Sequence, residues 1–163
     1  MKQLEIKTLI KECSFTELGE TDRRLVERAK EATRNAYAPY SNYNVGAALL
    51  LENGETVAGS NQENAAYPSG LCAERTAVFY ASASHPGVAV KKIAIAAWQD
   101  PGEGKDFEAG FQKEPVSPCG GCRQALMEYE HLYGHIEVIL YGSEKIYILP
   151  SVRSLLPLSF TEF

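Results

Sequence analysis

The sequence predicts an α/β domain in which helices pack on a mixed β-sheet. Three observations predict it. Apolar residues recur at helical spacing near the N-terminus, a strong hairpin signal follows, and strand-like apolar runs then alternate with helices. No repeat, low-complexity tract or Pro/Gly linker divides the chain, so residues 1–163 are read as one domain. Residues 1–21 are ambiguous, and Leu4, Ile6 and the later apolar residues there could supply an edge strand.

From Asp22 to Tyr37, Leu25, Ala29, Ala32 and Ala36 fall on one helical face, and Asp22 is the expected N-cap. Ala38-Pro39-Tyr40-Ser41-Asn42 is turn-rich. The apolar run Val45–Leu51 leads into Asn53-Gly54, and Glu55–Ser60 returns as its hairpin partner. A helix is expected from Cys72 to about Ala83, then a buried strand over Lys92–Trp98, whose continuous apolar run suits a two-sided sheet position. Gln99–Val116 is Gly-rich and charged and reads as a surface loop. A second helix is expected from near Cys119 to His131, strands at Ile136–Tyr141 and Ile146–Leu149, and a short helix over Ser151–Leu156.

The composition is that of an ordinary globular protein, 45% hydrophobic and 23% charged. No apolar stretch approaches the roughly 20 residues that span a bilayer. The N-terminus carries charges every few residues, unlike a secretory signal, so the expected location is cytoplasmic, with no membrane partner. The formal net charge is −5 and no basic run stands out, which argues against DNA or RNA as partners.

The four cysteines are unevenly placed: Cys13, Cys72, Cys119 and Cys122. A reducing cytosol disfavours disulfides, and one CxxC plus one distant cysteine suggests metal binding. Cys119 and Cys122, at i and i+3 on a helix's first turn, face the same way. Gly120 and Gly121 between them would allow close backbone approach. Cys72 opens the earlier helix, so two positive helix ends would face the metal and favour thiolates. Three protein ligands leave a position for water, which distinguishes a catalytic zinc site from a closed structural one. Glu74, two residues after Cys72, is the carboxylate that a water-activating site needs. The alternative is a structural site closed by Cys13, His85, His131 or His135, none of which has supporting local context.

The CAE of Cys72–Glu74 and the PCGGC of Pro118–Cys122 match a known zinc-deaminase signature. Beyond them, the chain resembles the small homotetrameric cytidine deaminases. The resemblance runs through Ala36–Ser41, Val45–Leu49, Asn61–Tyr67, Gly70–Thr76, Val116–Gln124 and Leu155–Pro157, in the family's order. It implies a three-layer αβα sandwich with a mixed, mostly five-stranded sheet. It also implies one Zn²⁺ per subunit on Cys72, Cys119 and Cys122, and deamination of cytidine and 2′-deoxycytidine in pyrimidine salvage. Glu74 would shuttle the protons.

Further roles follow from the same resemblance. Asn61 and Glu63 would hold the ribose, with Glu63 accepting from the 3′-hydroxyl. Tyr43 would pack against base or sugar, where the family usually has Phe. Ala73 belongs to the substrate-binding set, and the Ser117 carbonyl would accept from the leaving amine. Arg75, and with it Arg123, would donate to thiolate sulfur and offset its charge. Tyr67 and Phe160 match positions that complete a neighbouring subunit's pocket in a homotetramer. Read from the residues alone, Asn61 and Glu63 could instead be turn residues, Arg75 a surface cation, and Tyr67 and Phe160 core aromatics. The segment before Asp22 and the Gln99–Glu114 loop are longer than the family pattern. Two rival functions are a deaminase of another cytosine-containing small molecule and a silent zinc-binding scaffold. The Asn61–Asn64 segment argues against the first and the presence of Glu74 against the second.

Overall fold

In the computed structural model, which describes residues 1–162, a six-stranded mixed sheet lies between helical layers. The elements in order are β1 (Lys11–Cys13), α1 (Glu20–Ala32), β2 (Asn44–Leu51), β3 (Thr56–Ser60), α2 (Ala73–Ser84), β4 (Val90–Trp98), α3 (Gly120–Tyr133), β5 (Glu137–Tyr141) and β6 (Ile146–Leu149). The strand order is β1-β6-β5-β4-β2-β3, with β4 and β5 parallel and every other pair antiparallel. Strands β2 to β6 form the body, and β1 adds an edge. That edge uses Lys11–Cys13, whereas Leu4 and Ile6 stay exposed.

Side-chain alternation decides which helix covers which face. On β4, Ile93 and Ile95 point to one core and Ala94 and Ala96 to the other; on β2, Ala47, Leu49 and Leu51 share the first core, and Ala48 the second. The first core is filled by Ala73, Ala77, Val78 and Ala81 of α2 and by Leu126 and Met127 of α3. The second is covered by Leu25, Val26 and Ala29 of α1, whose spacing gives it one apolar stripe. Small sheet residues beneath α1 let that helix sit close. The Asn53-Gly54 turn closes the β2–β3 hairpin with Gly54 at φ +86°, a conformation that favours glycine.

Two local expectations are corrected. Helix α1 is capped at Gly19, and Asp22 lies inside its first turn, where its carboxylate binds Lys92 Nζ at 2.6 Å. Ser151–Leu156 contains only a single 3₁₀ turn, Val152–Ser154. Buried Glu130 explains that turn's anchorage: its carboxylate accepts from the backbone N–H groups of Ile136, Val152 and Arg153 and from Ser151 Oγ.

The long loop after β4 is not a simple surface excursion. Gly110 and Phe111 are buried, and backbone bonds Gln99 N–H to Gly110 O and Gln112 N–H to Ala97 O close it onto β4. Phe107 stacks on Trp98, and Glu108 pairs with Lys30 at 2.9 Å. The Lys30 ammonium lies over the rings of Phe15, Phe111 and Tyr141 at 5.7, 5.1 and 5.3 Å. The N-terminal extension and the long loop therefore meet on one lysine of α1.

Candidate metal centre

The starts of α2 and α3 converge on one side of the sheet. Cys72 is the N-cap of α2 and Cys119 the N-cap of α3, both in extended backbone conformation, and Cys122 sits one turn into α3. Cys72 Sγ is 3.8 Å from Cys119 Sγ, and Cys119 Sγ is 3.5 Å from Cys122 Sγ. All three sulfurs lie within 4.8 Å of one another. Tetrahedral Zn–S bonds of about 2.3 Å put sulfurs about 3.8 Å apart, so the spacing and the thiolate donors fit one zinc ion. Among the described residues, no fourth Cys, His, Asp or Glu joins the group. Cys13, in β1, belongs with the second core, away from this trio.

Hydrogen bonds from Cys122, Arg75 and Cys119 outweigh burial and draw the Cys72 thiol down to about 5. The Cys122 thiol, beside Cys72 and fully buried, is pushed far up. Arg75 Nη2 reaches Cys72 Sγ at 3.8 Å. Arg123 bonds to backbone carbonyls. Its Nε donates to Pro118 O at 2.8 Å and its Nη1 to Leu155 O at 3.0 Å, so these two donors serve backbone oxygens rather than sulfur. Glu74, on the first turn of α2, is 4% exposed, and desolvation raises its carboxyl above the ordinary value, with the Cys72 charge adding to it. Gly120 and Gly121 are not required by packing within the chain, since a Cβ at either would meet nothing within 4 Å.

Beside the trio lies a cavity of about 500 Å³ lined by Asn61, Glu63, Tyr67, Cys72 and Arg75, together with Tyr40, Ser41, Gln62, Asn64, Gly70 and Leu71. Backbone bonds from Gln62 N–H to Leu71 O and Leu71 N–H to Gln62 O fasten the Asn61–Glu63 segment next to Cys72. Glu63 Oε2 accepts from the backbone N–H groups of Tyr40 and Ser41 at 2.9 and 3.3 Å. The Ser41 side chain and the Tyr40 amide hold its carboxyl below the ordinary range, so it is an acceptor only. Asn61 Oδ1 accepts from Val45 N–H at 2.7 Å and its Nδ2 donates to Tyr43 O at 2.9 Å, leaving one donor hydrogen and one lone pair.

Residues 19–134 match the zinc-binding region of cytidine and deoxycytidylate deaminases. The chain belongs to that family. It is 38% identical over 139 residues to a cytidine deaminase of Sporosarcina psychrophila, covering 85% of this chain and 90% of the other. A cytidine deaminase of Halalkalibacterium halodurans is 40% identical over 106 residues, covering 64% and 68%. The crystal structure of cytidine deaminase from Burkholderia pseudomallei superposes with a TM-score of 0.68 at 38% identity, covering 84% of this chain and 97% of that one. That from Mycobacterium tuberculosis gives 0.64 at 30% identity, covering 85% and 96%.

In this member of the family, Tyr43, Ala73, Ser117 and Phe160, also implied by the resemblance, lie apart from the cavity lining, whereas Tyr67 is part of it. Tyr43 is half-buried, Ala73 is buried at the start of α2, and Ser117 is exposed just before Pro118. Phe160 is 65% exposed, and its carbonyl accepts from Gln124 Nε2 at 2.6 Å. Tyr67 is 75% exposed and packs edge-on against Tyr40. The clasp on Glu63 by Tyr40 and Ser41 escapes a reading of the sequence. Its only signal there is the turn chemistry of Ala38–Asn42. Among the described residues, no helix is long and apolar enough to cross a membrane.

Proposed function

We propose that this protein hydrolyses cytidine and 2′-deoxycytidine to the corresponding uridines and ammonia, as a cytoplasmic homotetramer serving pyrimidine salvage. The observation that carries the reading is a buried carboxylate, Glu74, two residues from Cys72, which itself lines a cavity that also holds Asn61 and Glu63. A bound Zn²⁺ would be held by Cys72, Cys119 and Cys122, and it supplies an acidified water at neutral pH.

Glu74 would take a proton from the attacking water and deliver it to ring N3, which makes C4 electrophilic. After a hydroxyl adds at C4, Glu74 would take the second proton from that hydroxyl and give it to the amine, so that the C4=O bond forms as the C4–N bond breaks and ammonia leaves. A carboxyl raised by burial suits a group that must first accept and then donate. Glu63, ionised and held on one oxygen by Tyr40 and Ser41, keeps its other oxygen for the ribose 3′-hydroxyl. A carboxylate there repels a 3′-phosphodiester, which favours a free nucleoside over a polynucleotide. Asn61 steadies Tyr43 and Val45 beside the ribose and has one donor left for it. Tyr43, Ala73 and the Ser117 carbonyl are assigned to the base and the leaving amine. Arg75 offsets thiolate charge at Cys72.

Exposed Tyr67, Tyr80 and Leu132 support association through these helical faces, with Tyr67 and Phe160 offered to a neighbouring subunit's pocket. An ultraviolet assay of zinc-loaded protein on cytidine and 2′-deoxycytidine, with CMP and adenosine as controls, tests the activity. No turnover of either nucleoside defeats it. Light scattering on a sizing column tests the tetramer.

A further inference from the structure

Arg123 follows Cys122 on the first turn of α3, where a cation is unfavourable because the helix dipole is positive there. Its guanidinium is spent on two carbonyls from different parts of the chain. Nε binds Pro118 O at 2.8 Å, and Nη1 binds Leu155 O at 3.0 Å. The Pro118 carbonyl lies just outside α3, so no helical N–H is due to it. It is also one half of the rigid peptide plane whose other half is the Cys119 nitrogen. Fixing that oxygen fixes the plane, and with it the direction in which Cys119 projects its sulfur.

The far end of the brace is itself anchored. Leu155 follows the turn whose Val152 and Arg153 amides are held by buried Glu130 on α3. The guanidinium thus ties the loop before the helix to a point fixed on the same helix. Its planar fork makes the two bonds at a fixed angle, which a lysine cannot copy.

We propose that Arg123 is a positioning residue that sets the Cys119 sulfur through the Pro118–Cys119 peptide, while the thiolate charge is handled by Arg75. The proposal rests on the reading of the cysteine trio as a zinc site. It does not depend on which nucleoside is the substrate. Loss of a group that orients a metal ligand costs about 10- to 100-fold in metal affinity or activity.

The experiment compares Arg123→Gln, Arg123→Lys and Gln124→Ala in zinc-loaded protein. It follows zinc release to a chromophoric chelator, thermal unfolding, and kcat and KM for cytidine. Arg123→Gln is expected to release zinc at least about 10-fold faster and to lose kcat with little change in KM. Arg123→Lys falls between it and wild type. Gln124→Ala removes the side-chain bond to the Phe160 carbonyl but leaves Pro118 braced, so its release rate stays at the wild-type value. Wild-type zinc release in folded Arg123→Gln overturns the proposal. Release as fast from Gln124→Ala also overturns it, because the tail rather than the brace would then be responsible. Should Arg123→Gln fail to fold, Arg123→Lys decides, and a wild-type release rate there overturns the proposal. Zinc release needs no turnover, so an inactive wild-type protein would sink the function above without touching this brace.

Discussion

Replacing Gly59 by alanine should damage the site from beneath. A Cβ built on Gly59 lies 2.5 Å from Ala77 N, 2.8 Å from Ala73 O and 2.9 Å from Ala77 Cα, all backbone of α2. Ordinary contact begins near 3.4 Å, so α2 must retreat by about 0.9 Å, the shortfall at Ala77 N. The helix carries Cys72 at its cap and Glu74 on its first turn, whereas Cys119 and Cys122 stay with α3. A misplacement near 1 Å costs on the order of 100-fold in catalysis, and overpacking of this kind costs about 1–3 kcal/mol of stability. Gly46→Ala is the matched control. Its Cβ would lie 2.0 Å from Ala29 O, so it drives α1 off the opposite face of the sheet, and α1 bears none of the site residues. Urea unfolding and kcat per folded, zinc-loaded molecule should then separate the two: Gly46→Ala loses more stability, and Gly59→Ala loses more activity. A folded Gly59→Ala protein with near wild-type kcat and zinc release would refute the reasoning, as would a reversed order.

Three other outcomes are expected. Glu74→Gln keeps the thiolates and should retain one zinc per chain by metal analysis, while kcat falls at least about 100-fold for want of the proton carrier; stoichiometric metal loss would mean the carboxylate serves the metal instead. Glu63→Ala should narrow the preference for cytidine over 3′-deoxycytidine by about 10-fold or more, read as a ratio of kcat/KM values, and an unchanged ratio removes Glu63 from the ribose. Lys30 gives a pH signature: burial pulls its ammonium down, but Glu108 and Glu27 more than offset this and raise it above the ordinary 10.5. Its contribution is therefore complete below that value and lost as pH rises through the folded one, so the stability gap between wild type and Lys30→Met should hold at neutral pH and shrink above about pH 10.5. A gap that stays constant across that alkaline range contradicts the assignment.

What the sequence made legible is what local chemistry writes. The period of Leu25 and Ala29, the Asn53-Gly54 turn and the apolar run of β4 each report a single element. The cysteine trio was legible because helix starts are local signals and thiolates are scarce. What stayed hidden depends on partners distant in sequence. Lys11–Cys13 is polar and becomes a strand only because β6 offers it an edge. Asp22 looks like a cap until Lys92, 70 residues on, is seen to hold it. Phe107 and Phe111 sit in a charged, Gly-rich stretch, and their packing depends on the distant Trp98, Lys30, Arg34 and Tyr141. Arg123 resembles a thiolate counter-ion in the motif, yet its second carbonyl comes from 32 residues away.

That last reassignment changes the charge balance of the site. Three thiolates with a divalent ion carry a net charge near −1. Two helix N-termini contribute roughly half a positive charge each at their ends. With the Arg123 donors turned to backbone oxygens, the guanidinium left to face sulfur is that of Arg75, against Cys72. The arginine contact to sulfur is at Cys72, whereas the peptide before Cys119 is the one that Arg123 braces. On the proposed reading, Arg75 offsets charge at Cys72 and Arg123 braces the backbone at Cys119, so the two arginines of the motifs, though each follows a site residue directly, divide the work rather than share it.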